Sequence, residues 1–96
     1  SDMEPVKSEK VRSGIWLDSR VNVWHLGMYM VFLYLSNQNN GERTITISRR
    51  RVMQLARFKS IATYHKCIKD LVAFGYIDYH PTYDYYQGTK VFLKGR

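Results

Sequence analysis

The 96-residue sequence predicts one α+β domain, mostly α, with a three-helix core, a short strand and a C-terminal two-stranded β-hairpin. Three features predict it. An uncharged, mostly apolar run from about Val21 to Asn37 has the length of a central helix, and two hydroxyl-capped helical segments follow it with a short break between them. Two alternating segments around a tyrosine-rich loop then close the chain. A chain of this size buries roughly two-thirds of its unfolded surface, enough for one core and not for two.

Residues 1–13 are polar, carry Pro5 and show no apolar period, which predicts a flexible arm ahead of a domain at 14–96. Ile15, Trp16 and Leu17 form an apolar knot that suits either a paired strand or simple docking on the core. The long helix is apolar on nearly all sides, so it is central or shared with a partner, and the polar "NQNNGE" closes it. "TITI" is β-branched throughout and predicts a short strand. Ser48 offers an N-cap hydroxyl to a brief helix whose buried face is expected to hold Val52, Met53, Leu55 and Ala56. "RFKS" breaks the pattern, and Ser60 caps a second helix over about 60–74 that turns Ile61, Tyr64, Ile68, Leu71 and Val72 inward and stops at Gly75. "YIDYH" and "TKVFLK" alternate as two strands, with Pro81 and "TYDYYQG" between them.

The charge is unevenly placed. Arg43 to Lys69 carries Arg43, Arg49, Arg50, Arg51, Arg57, Lys59, Lys66 and Lys69 without one Asp or Glu, in a chain of net charge +7. Solvated helix faces ordinarily mix signs, because opposite charges at i,i+4 support each other and like charges oppose. Ser48 and the three arginines after it open a helix, where the macrodipole disfavours added positive charge and the unpaired amides favour an anion. A phosphate-bearing partner resolves both conflicts.

Other chemistries find no footing. The lone Cys67 has no disulfide partner, and nothing at the N-terminus reads as a signal segment, which predicts a reducing, cytoplasmic setting. The apolar run from Val23 to Leu35 falls short of the roughly 20 residues a membrane span needs. His65 and Cys67 stand two apart on a helix and diverge, and His25 and His80 lie in separate elements, so no metal site is expected. Without a phosphate loop, a nucleophile elbow or paired carboxylates, the sequence predicts no enzyme, no catalytic residue and no cofactor.

The element order and the stretches "TITISRRRVMQLARFKSIATYHKCIKDLVAFGYIDYH" and "GTKVFL", about half the chain, resemble the winged helix-turn-helix family. The run "LVAFGYI", with Leu71, Gly75, Tyr76 and Ile77, carries the likeness most clearly, and "SIATYHKCIKDL" is loosely similar to small regulators associated with mobile elements in Bacteroidetes bacteria. The resemblance implies a recognition helix, here Ser60 to Phe74, in the major groove of DNA and a wing beside it. The wing is short and contains Asp84, a departure from what minor-groove insertion favours.

These strands combine into one expectation, a cytoplasmic, nucleoid-associated bacterial regulator of transcription that binds specific sequences of double-stranded DNA. Ser60, Ala62, Thr63, His65, Lys66 and Lys69 are the groove-facing candidates, being small or able to reach base edges. Ser48, Arg49, Arg50, Arg51 and Lys59 are the phosphate candidates, and Tyr83, Tyr85, Tyr86 and Lys90 the wing candidates. For any one of these residues, the bland alternative is a solvated side chain. A homodimer spanning two half-sites would draw on Trp16, Trp24, Met28, Met30 and Phe32, which ordinary core burial explains nearly as well. The rival from another class is a winged-helix protein-interaction module, and a third reading is accessory work in excision or replication of a mobile element.

Overall fold

The computed structural model describes residues 13–82 and 88–94. Among them the order is a helical turn α1 (Ser13–Trp16), α2 (Val23–Gln38), β1 (Thr44–Ile47), α3 (Arg49–Ala56), α4 (Ile61–Ala73), β2 (Ile77–His80) and β3 (Thr89–Leu93). This is an α+β architecture of four helices and one three-stranded antiparallel sheet. No helix among the described residues is long and apolar enough to cross a membrane.

α2 begins at Val23 because Asn22 caps it. The Asn22 Oδ1 accepts from the backbone N–H groups of Trp24 (2.9 Å) and His25 (3.1 Å), and His25 Nδ1 accepts in return from the Asn22 N–H (2.9 Å). A histidine thus fills the place that Glu or Gln holds in the usual capping box. Asn40 and Gly41 take positive φ after the helix, and the Gly41 N–H donates to the Ser36 carbonyl at 2.8 Å.

β1 does not stand alone. It pairs with β3, which pairs with β2, giving the order β1-β3-β2 with Ile45 and Tyr79 both opposite Val91. Ile45 and Ile47 face the core while Thr44 and Thr46 face out, the period-two alternation of a half-buried strand. Against the inward face pack Met28, Tyr29 and Phe32 of α2, Val52 of α3, and Tyr64, Cys67, Ile68 and Leu71 of α4. α1 is held on by buried Ile15 and by the Tyr76 hydroxyl, 3.2 Å from the Gly14 carbonyl, and the turn after it by polar clasps. The Tyr76 hydroxyl donates to Asp18 Oδ2 (2.7 Å), the Arg20 guanidinium donates to both Asp18 oxygens, and that guanidinium lies 4.3 Å from the centre of the Phe74 ring.

The structure corrects the sequence expectation at several side chains. Only Ile15 of the apolar knot is buried, whereas Trp16 and Leu17 are exposed, and the first helical turn starts one residue before the expected boundary. Met28 and Phe32 belong to the core and so are not free for a partner, whereas Trp24, with its ring centre 5.3 Å from that of Phe58, remains partly exposed. Leu55, Ile61 and Val72 point outward, at 38%, 49% and 39% exposure. In α4 the reason is Cys67: the inward stripe is Tyr64, Cys67, Ile68 and Leu71, a complete i, i+3, i+4, i+7 set that displaces Ile61 and Val72 to its rim. In α3 Val52 takes the core position, and Leu55 and Ala56, about 100° apart, fall on either side of it.

Candidate nucleic-acid interface

Ser60 caps α4, its Oγ accepting from the Thr63 N–H at 3.2 Å. Beyond the cap, Ala62, His65, Lys66, Lys69 and Ala73 share the exposed side, with Thr63 half-buried at its edge. Lys66 is 76% exposed, yet its Nζ lies 3.2 Å from Asp70 Oδ2. The same Asp70 oxygen is 2.9 Å from Nε2 of the buried His25. Since His25 Nδ1 accepts from Asn22, Nε2 is the nitrogen that donates. The His25 hydrogen bond, helped by Lys66, holds the Asp70 carboxyl below its ordinary range, burial opposing. One carboxylate therefore joins the helix cap of α2 to the basic side of α4.

The arginines do not form one cluster. Ser48 caps α3 by accepting from the Arg51 N–H at 3.1 Å, and the consecutive Arg49, Arg50 and Arg51 then fan about 100° apart. Arg49 lies close enough to Tyr64 to act on its hydroxyl, which burial and Tyr79 push up to about 12 while Arg49 opposes. Arg50 and Arg51 line a shallow depression with Ser48, Gln54 and Leu55, and Arg51 also borders one with Leu35, Ile45 and Thr46. Lys59 is exposed between the two helices, after Arg57, which takes left-handed backbone (φ 65°) at the end of α3. Arg43 lies elsewhere: its Nη1 donates to the Leu93 carbonyl at 3.1 Å and fastens the sheet.

Of the wing candidates, Tyr83, Tyr85 and Tyr86 lie outside the described residues. Lys90 is exposed beside Thr46, to whose Oγ1 it donates at 2.8 Å. Gly88 precedes it with φ 71°, and a Cβ there would come within 2.7 Å of Thr46 Cγ2. A side chain at Gly88 would therefore collide with Thr46 as well as strain the backbone.

Sequence reasoning missed an apolar groove of about 580 Å³ along one edge of α4, lined by His65, Ile68, Lys69, Val72, Ala73 and Tyr79. The signal was present in the competition for the buried stripe. Cys67 sits at the right spacing to share it with Tyr64, Ile68 and Leu71, which leaves Val72 over. No group of three or more His, Cys, Asp or Glu among the described residues is arranged to hold a metal ion. No protein-family model, no curated protein and no solved structure matches the chain.

Proposed function

We propose that this chain is a winged helix-turn-helix regulator that binds specific sequences of double-stranded DNA, with α4 as the recognition helix in the major groove. The single observation that carries the reading is the exposed side of α4, where His65, Lys66 and Lys69 stand between Ala62 and Ala73. Small side chains permit close approach to a groove, while lysine amines reach guanine O6 and N7 or phosphate oxygens. Lys59, exposed in the turn before α4, and the exposed Arg49 and Arg50 of α3 add the charge that positions a duplex. The two antiparallel strands that follow the pair of capped helices, β2 and β3, joined by β1 in the order β1-β3-β2, support a wing carried on β2 and β3.

The test is fluorescence anisotropy of a labelled random-sequence duplex, titrated with the protein across a series of salt concentrations. Micromolar binding is expected, with a slope of log K against log salt of roughly −4 if four to five phosphates are neutralised. A duplex left unbound at low salt contradicts the proposal.

A second reading, a protein-docking module or a homodimer, is favoured by one specific observation. α2 carries no Asp, Glu, Lys or Arg, and Val23, Met30 and Tyr34 on it remain exposed. That uncharged strip suits contact with another protein, and its mark is association that survives salt while the duplex stays unbound.

A further inference from the structure

Resting on the DNA reading above, we infer that Ile61 and Val72 of α4 read thymine, by packing against its C5-methyl group. Three observations lead there. Ile61 and Val72 are both substantially exposed, and eleven helical residues bring them back to within about 20° of one line. They form one edge of the side that presents His65, Lys66 and Lys69, and Val72 continues into the apolar groove with Ile68 and Tyr79. The edge is apolar and the centre is basic.

β-Branched residues are poor choices for a solvated helix surface, since they lose side-chain freedom there and gain no burial. Amines beside them exclude an ordinary hydrophobic partner, because the ammonium groups of Lys66 and Lys69 would have to lose their water along with it. A DNA major groove meets both requirements at once. Its wall supplies phosphate and base acceptors for the amines, and thymine supplies the one apolar group on a base edge. Ile61 and Val72 are about 16 Å apart along the helix, roughly the run of four or five base pairs, so each meets its own position in the site.

The experiment begins by selecting a consensus duplex from a random-sequence pool with the unaltered protein. Each thymine of that consensus is then replaced by deoxyuridine, which removes the methyl and leaves the pairing intact. At two positions affinity should fall about four-fold, the effect of exposing one methyl-sized group. Ile61→Ala and Val72→Ala should each abolish the loss at one of those positions and leave the other unchanged. Both side chains lie at the surface, and thermal melting checks that the variants fold. Deoxyuridine tolerated at every thymine overturns the inference while leaving DNA binding intact, as does a methyl effect that persists in both variants. A pool that yields no bound duplex overturns the DNA reading itself and this inference with it.

Discussion

At Asp70, one carboxylate serves two roles that pull in different directions. It accepts from buried His25 Nε2 at 2.9 Å and sits 3.2 Å from the Lys66 ammonium, so it stabilises the core and tempers the charge of the exposed side. Asp70→Ala leaves a buried N–H without its acceptor, which costs about 1 to 3 kcal/mol. Thermal melting at neutral pH should show the loss, and an unchanged melting temperature would contradict the coupling. The pH dependence has a definite sign. A carboxyl whose folded pKa is lowered contributes stability that is fully present above its ordinary value and is lost as pH falls from there through the lowered folded value, so the difference between Asp70→Ala and the unaltered protein should shrink in acid. Asp18, lowered chiefly by its hydrogen bond from Arg20, acts in the same sense and contributes to acid lability in both proteins. Cys67 is closed to chemistry for a different reason: burial, with Asp70 nearby, pushes its thiol up to about 11, and a thiol kept protonated is a poor nucleophile.

At the scale of elements, the caps were legible and the rims were not. Ser48 and Ser60 cap α3 and α4 as the sequence predicts, because a hydroxyl ahead of a helical run is a local signal that needs no tertiary information. Gly75 likewise takes the left-handed backbone expected of a helix stop. Arg57 adopts the same conformation without any such signal, on a residue type that does not favour it, as its N–H closes the end of α3 on the Met53 carbonyl. The outward turn of Leu55, Ile61 and Val72 was hidden because a helix offers several apolar residues to a stripe that admits four, and only the neighbouring elements decide which are taken. The fan of α3 arginines was legible in principle from 3.6 residues per turn, although composition alone suggests a cluster. It yields an ordered expectation. Arg49, on the side near Tyr64, should contribute to duplex binding, and Arg51, directed toward β1 and the end of α2, should not. Arg49→Ala should flatten the salt slope by about one unit and Arg51→Ala should leave it in place. Equal effects of the two, read by anisotropy, would contradict this division.

Across the whole molecule, uncharged and basic surfaces are kept apart. α2 is packed by α3, α4 and β1 and carries no Asp, Glu, Lys or Arg, whereas Arg49, Arg50, Arg51, Arg57, Lys59, Lys66 and Lys69 lie on α3, α4 and the turn between them. The sheet joins the chain's middle to its end, since β1 enters the hairpin through β3, a long-range pairing that alternation within each strand does not announce. That pairing sets β2, and Tyr79 with it, beside the exposed edge of α4. The central claim is that this edge and the basic side next to it form the surface that meets DNA. Nuclear magnetic resonance tests it most directly, by following backbone amide shifts of the labelled protein as a duplex is added. Shifts concentrated on Lys59, Ile61, Ala62, His65, Lys66, Lys69 and Val72, with Val23, Met30 and Tyr34 unmoved, are the predicted result. Shifts confined to the uncharged strip of α2, or no shifts at all, would contradict it.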